Sequence, residues 1–356
     1  KKEFSEDALD LEHKLHTLLI KQQEHGIHFD ETKAQKLYSQ LAARKQEIED
    51  ELQRVFEPNI IVMKTKTKTT PFNPASRQQI AGRLKKRGWK PTEFTPCGEA
   101  KVDETILEKI DIPEAKLLRE YLMLNKRLGQ IATGKQAWLK LVKKGKLHGR
   151  VNHMGAVTSR CTHANPNLAQ VPRVSAEYGK ECRELFSVPN GYTLLGADAS
   201  GLELRCLSHF LHRYDDGKYS KELLEGDIHT ANQKAAGLET RDQAKTFIYG
   251  FLYGAGEEKI GSIIGRGSKE GRIIKNRFLQ KTPALKKLKD AVNTSAKKGW
   301  IKGLDGRQLP IRHAHAALNT LLQSAGALIC KRWYLNIHTG LRENGLKEED
   351  ASIVAF

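Results

Sequence analysis

Arg241-Asp242-Gln243-Ala244-Lys245-Thr246-Phe247-Ile248-Tyr249-Gly250-Phe251-Leu252-Tyr253-Gly254 places Arg241, Lys245, Tyr249 and Tyr253 four residues apart. On a helix this spacing makes one stripe that drifts slowly around the axis. Two cations lie at its N-terminal end and two aromatic rings beyond them. Thr240 can cap the helix, which puts unpaired backbone N–H groups and the positive end of the helix dipole beside the cations. Such a surface suits a polyphosphate joined to a flat base. Taken alone, the same stretch also reads as a solvated basic face with Tyr and Phe in the core.

Upstream runs Tyr192-Thr193-Leu194-Leu195-Gly196-Ala197-Asp198-Ala199-Ser200-Gly201-Leu202-Glu203-Leu204-Arg205. Its first part is short, apolar and bounded by Pro189-Asn190-Gly191, which predicts a buried strand. Asp198 falls where the strand ends and Ser200-Gly201 makes the turn. Leu204, Leu207 and Leu211 then mark one face of a helix. A carboxylate at a strand tip can hold a divalent metal next to phosphate oxygens; a lone Asp there is also a common helix cap.

Together these segments resemble motifs A and B of family A (polymerase I-like) DNA polymerases, with the nearest likeness to phage replicative polymerases. Asp198 to Arg205 resembles motif A, and Arg241 to Gly254 resembles the fingers helix of motif B. Thr158-Ser159-Arg160 with Asn165 to Pro172 is similar to the segment before motif A. Leu318 to Gly326 is similar to the glutamine-bearing helix after the fingers. The likeness is dense from about residue 149 to 331 and traceable back to the N-terminus.

The resemblance implies an α+β, mostly helical chain of right-hand architecture: thumb, palm with an antiparallel sheet, and fingers. Its divisions are 1–147 for the helical thumb and entry to the palm, 148–226 for the palm with motif A, 227–300 for the fingers and 301–356 for the return to the palm. It implies nucleotidyl transfer from a dNTP to a primer 3′-hydroxyl on a DNA template. By motif match Asp198 binds both of two Mg2+ ions and the Ala199 carbonyl adds a ligand. Arg241, Lys245 and His229 hold the triphosphate, with Lys245 also the general acid for pyrophosphate. Ser200 and Tyr249 line the nucleotide. Glu203 fills the space of a ribose 2′-OH, which favours DNA over RNA synthesis. Tyr253 stacks at the template side. Arg160 and Gln323 read minor-groove acceptors, which lie at similar places in every Watson–Crick pair, and Asn319 stands one turn before Gln323. Asn and Gln on an apolar helix can equally satisfy core partners.

Composition agrees with a polyanionic partner. Net charge is +18, from 60 Lys+Arg against 42 Asp+Glu, and 39% of residues are hydrophobic; a membrane surface would suit that charge too. No apolar run approaches the ~20 residues needed to span a bilayer, and the N-terminus carries no signal pattern. A cytoplasmic monomer is expected. The five cysteines, Cys97, Cys161, Cys182, Cys206 and Cys330, are odd in number and lack metal-ligand spacing, so they read as free thiols.

Along the chain, Leu11, Leu15 and Leu18 predict a first helix ended by His25-Gly26. Asp30 caps a second with Leu37, Leu41, Ile48, Leu52 and Val55 in register, the two forming an antiparallel lever. Residues 57–70, with Lys64-Thr-Lys-Thr-Lys-Thr-Thr, read as a solvated loop. The long thumb insertion by which some phage relatives bind a processivity factor has no counterpart here, so that partner is not expected. Residues 72–89 and 117–146 read as basic helices, and Leu304-Asp305-Gly306-Arg307 as a hairpin turn.

The pattern departs from the family in three places. Ala351-Ser-Ile-Val-Ala-Phe356 resembles the strand that enters motif C, but no His-Asp pair follows in the sequence. A fragment of impaired activity is therefore expected, or alternatively a non-catalytic primer–template binding module of the same fold. Ser159 stands where the family often has Gly, in the turn that delivers Arg160. No acidic exonuclease motif precedes the thumb, so proofreading by this chain is not expected.

Overall fold

The computed structural model describes residues 4–62 and 67–356. Helix α1 (Glu6–His25) begins where the Ser5 hydroxyl accepts from the Ala8 amide and ends at Gly26, whose φ of 67° releases the chain. Strand β1 (Ile27–Phe29) follows, then α2 (Glu31–Val55), capped by Asp30 accepting from the Lys33 amide at 2.9 Å. The leucine stripes of both helices are buried. They do not form the expected two-helix lever: α1 packs chiefly on the last helix of the chain, and α2 on a helix at 113–128. β1 lies between them as the middle strand of a sheet and sends them to different neighbours.

Strands β2 (Asn59–Val62) and β3 (Thr67–Thr70) pair antiparallel, with Asn59 opposite Thr70. The expected solvated loop is therefore a hairpin on either side of residues 63–66. Alternating Thr gives β3 the β-branched residues a strand prefers. Lys64, Thr65 and Lys66 lie outside the described residues. The chain continues through α3 (Arg77–Lys86), α4 (Glu104–Glu108), α5 (Pro113–Leu128) with a π-turn at its end, and α6 (Trp138–Leu141). Then come β4 (Lys146–Leu147), β5 (Arg150–Asn152), β6 (Thr162–Ala164), α7 (Gly179–Arg183) and β7 (Phe186–Ser187). The sheet order is β4-β1-β7, all antiparallel, while β5 and β6 form a separate hairpin. A first core gathers Phe29, Leu41, Leu52, Phe72, Leu84, Leu118, Trp138, Leu147 and Leu185.

The second half is helical: α8 (Leu202–Asp215), α9 (Lys218–Glu225), α10 (Ile228–Ala236), α11 (Arg241–Leu252), α12 (Glu257–Gly261), α13 (Ser268–Lys281) and α14 (Pro283–Ala296). The hairpin β8 (Trp300–Lys302) and β9 (Gln308–Pro310) turns through 303–307 as its sequence predicts, and α15 (Ala317–Glu343) runs back beneath the rest. A second core joins Leu204, Leu207 and Leu211 of α8 to Phe247 and Phe251 of α11, Phe278 of α13 and Leu321 and Leu322 of α15. Phe278 meets Phe247 and Phe251 edge-on, with centroids 5.0 and 5.4 Å away. Leu15 and Leu19 of α1 pack with Tyr334 of α15 and Phe356 in a third, small cluster.

Two expected strands, at 192–197 and 351–356, have no regular secondary structure. Neither finds a ladder partner among the described residues, and Leu195 is 91% exposed. An apolar run acquires strand geometry only when its backbone groups can be paired. The two segments are neighbours all the same: the Tyr192 hydroxyl donates to the Glu349 carbonyl at 2.7 Å.

Candidate nucleotide and template site

Helix α11 is fixed at its start by a capping box. The Thr240 hydroxyl accepts from the Gln243 amide at 3.1 Å, and the Gln243 side chain accepts from the Thr240 amide at 3.2 Å. Ala244, Phe247, Ile248 and Phe251 bury one face. The opposite stripe stays open: Arg241 and Lys245 are exposed, Tyr249 is half-buried and Tyr253 is 45% exposed. Tyr249 packs partly against the core while Tyr253 stays open. Lys245 makes no ion pair or side-chain hydrogen bond among the described residues.

Arg241 is held. Its Nε donates to Asp227 Oδ2 at 2.7 Å, and its second terminal nitrogen to Oδ1 at 3.2 Å. Asp227 also caps α10, accepting from the His229 and Thr230 amides and the Thr230 hydroxyl. The Arg241 guanidinium and these hydrogen bonds keep the Asp227 carboxyl well below the usual carboxylate range. His229, the second residue of α10, is lowered by burial, then by the charges of Arg241 and Lys245 against that of Asp227. Its Nδ1 is buried without a partner. The three phosphate-binding candidates therefore share one end of the cleft.

From there the cleft runs along α11 to α8. The Tyr249 ring centroid is 6.4 Å from that of His229, and its hydroxyl is raised by burial and then by the Glu203 charge. The Tyr253 hydroxyl donates to Glu203 Oε1 at 3.2 Å. Burial raises the Tyr253 phenol, with Glu203 adding and Arg160 opposing. The Cys330 thiol on α15 is raised by burial; Arg160 lowers it while Asp198 and Glu203 raise it. Arg160, Asp198, Glu203 and Tyr253 thus surround one region, contiguous through Tyr249 with His229, Arg241 and Lys245.

Each flank is built locally. Gly201 at φ 60° turns the chain from Asp198 into α8, and Arg205 Nε donates back to the Ser200 carbonyl at 2.9 Å. Asp198 and Ser200 are exposed, and neither side chain has a partner among the described residues. Arg160 is likewise exposed and unpaired. Ser159 before it is buried and adopts φ 60°, the left-handed region that favours glycine, with its amide donating to the Ala156 carbonyl. Asn319 and Gln323 are half-buried on α15, and neither side-chain amide makes a hydrogen bond among the described residues. The alternative in which they satisfy core partners does not hold.

Sequence reasoning placed no role on Asp227 or Cys330. Asp227 was visible as a helix cap in Gly226-Asp-Ile-His, but its pairing with Arg241 needs α10 and α11 folded side by side. Cys330 carried no signal. Among the described residues no three or more His, Cys, Asp or Glu side chains converge as a metal-binding group. No described helix is long and apolar enough to cross a membrane.

Comparison with known proteins agrees with this arrangement. The model of DNA polymerase family A matches residues 33–354. The DNA-directed DNA polymerase of Enterobacteria phage T3 is 43% identical over 96% of this chain and 61% of its own length, and that of Escherichia phage T7 is 42% identical over the same shares. This chain thus spans about six-tenths of the length of those relatives. Both alignments run over 428 residues, more than the 356 of this chain, so the phage proteins carry residues inside the matched region that it lacks. Among solved structures, the POL domain of Pol1 from M. smegmatis, in complex with DNA primer-template and dNTP, superposes with a TM-score of 0.79 at 20% identity, covering 96% of this chain and 61% of that one. That likeness establishes the right-hand polymerase fold. Since the match to the family runs through nearly the whole sequence and through every element of the cleft, this chain belongs to DNA polymerase family A.

Proposed function

We propose that this chain is the polymerising core of a DNA-templated DNA polymerase, with α1 to β4 as thumb and entry to the palm, residues 148–226 and 301–356 as palm, and residues 227–300 as fingers. The observation that carries the reading is the α11 stripe, where Lys245 stands exposed and without a partner among the described residues beside Arg241 and His229, and Tyr249 and Tyr253 lead on to Glu203. Arg241, Lys245 and His229 take the triphosphate of a dNTP. Ser200 and Tyr249 border its sugar, with Glu203 held by Tyr253 against a 2′-OH. Arg160 and Gln323 donate to the minor groove of the primer–template, with Asn319 beside them. Lys245 is placed to protonate the departing pyrophosphate.

Asp198 and the Ala199 carbonyl offer one carboxylate and one neutral oxygen. That hard-oxygen set suits Mg2+ shared with phosphate oxygens. Bound there, the ion would offset phosphate charge as the new bond forms. A two-ion site is not assembled by the described residues alone. A second reading is a non-catalytic primer–template binding module of the same fold.

Primer–template affinity should be measured with each dNTP and Mg2+. The next templated dNTP, and none of the other three, is expected to tighten binding at least tenfold, with the effect lost in Lys245→Ala. Equal affinity with all four would overturn the assignment. Incorporation of one templated dNTP separates the catalytic reading from the binding module.

A further inference from the structure

Away from the cleft lies a cluster of buried charges that the proposed reaction does not use. Glu12 of α1 is 3% exposed, Arg307 of the β8–β9 turn 0% and Lys331 of α15 1%. Lys331 Nζ donates to Glu12 Oε1 at 2.6 Å and to the His153 carbonyl at 2.7 Å. Arg307 donates to Glu12 Oε1 at 2.6 Å, and Asp305 accepts from Arg307 Nε and a terminal nitrogen at 2.9 and 2.7 Å. His153 Nδ1 meets Glu12 Oε2 at 2.6 Å. Two cations and two carboxylates balance, and three separate elements converge on the one carboxylate that α1 supplies.

A buried ion network is seldom more stable than apolar packing of equal volume, but it is far more exacting in geometry. The geometry here has a destination. His153 opens the loop between β5 and β6 that ends in Arg160. That loop has little freedom: a Cβ on Gly155 would fall 1.9 Å from Thr162 Oγ1, and Ser159 is in the left-handed region. Lys331 lies eight residues after Gln323 on α15, about 12 Å along the axis.

We propose that the Glu12–Lys331–Arg307 cluster is a spacer that sets the distance between Arg160 and Gln323, with Lys331 as the positioning residue that ties the Arg160 loop to α15. The proposal rests on the minor-groove role given to those two residues above.

The test compares primers ending in guanine with primers ending in 3-deazaguanine, which lacks the minor-groove N3 acceptor. The readout is affinity for primer–template with the correct next dNTP. In the unaltered chain the deaza primer is expected to bind about tenfold more weakly. In Lys331→Met, and in the charge-balanced Glu12→Gln/Lys331→Met should the single variant fold poorly, natural primer is expected to bind about tenfold more weakly. The further loss on the deaza primer should then shrink below twofold. A folded variant that keeps the whole deaza penalty would overturn the spacer and leave a purely structural cluster. Absence of any penalty in the unaltered chain would instead remove the minor-groove assignment, and the spacer with it.

Discussion

Ser159 shows how much one backbone angle carries. Its φ of 60° costs an L-residue about 1–2 kcal/mol, yet it aims Arg160 at the region shared by Glu203, Tyr253 and Cys330. Ser159→Gly is expected to raise stability by roughly 0.5–1 kcal/mol, the relief being partly offset by the freer unfolded chain. Ser159→Val should lower it by about 2 kcal/mol, since a β-branched side chain tolerates that region least. Urea denaturation of the two variants checks both signs. Arg160 itself was legible as a candidate from Thr158-Ser159-Arg160. The strain that delivers it was not, because positive φ at a serine is decided by the loop closing on Thr162 and Ala156.

At the scale of the element, α11 and α10 act as a pair. The capping box gives α11 a fixed first turn, and Thr240→Ala is expected to cost about 1 kcal/mol in thermal or chemical unfolding. The neighbouring Asp227 serves two masters, capping α10 and gripping Arg241. Asp227→Asn keeps the cap but gives up a charge that competes with phosphate for Arg241. The ion pair is solvent-exposed and screened, so stability near neutral pH should hardly change while dNTP affinity rises about threefold, as a titration of ternary-complex formation would show. The helix, its cap and its stripe were all readable from spacing. The hold on Arg241 was not, because it joins residues on two helices whose packing the sequence pattern leaves open.

At the scale of the molecule, α1 and α15 are locked through Glu12. Glu12→Ala would strand Lys331 as a buried, uncompensated cation and leave Arg307 with Asp305 alone, and a loss of about 3–5 kcal/mol is expected on unfolding. Stability should also depend on pH in two steps. His25, His163 and His229 are lowered from 6.5, in each case chiefly by burial. Below 6.5 the unfolded chain binds more protons than the folded one, so stability is full above that value and falls as pH descends through the folded pKa values. Glu12, Asp103, Asp227 and Glu348 are also lowered, against burial, by hydrogen bonds and neighbouring cations. Their share is present above the unfolded values of 4.5 for Glu and 3.8 for Asp, and is lost below them. The melting temperature is therefore expected to be flat from about pH 7 to 8, to decline below 6.5 and to drop more steeply below 4.5.

What sequence by itself determined is local or periodic: the α11 stripe, the caps at Thr240 and Asp30, the leucine faces of α1, α2 and α8, the hairpin at 303–307, and the motif order that points to a polymerase. Those features depend on neighbours within a few residues, where spacing and side-chain chemistry suffice. Only the tertiary structure decided that α1 and α2 part company around β1, that 192–197 forms no ladder, and that Asp227 closes on Arg241. It also buried Glu12, Arg307 and Lys331 together, although they stand 295 or more residues from Glu12 to its partners. Strand pairing and buried charge both require a partner brought from far along the chain, and no local pattern encodes where that partner will lie.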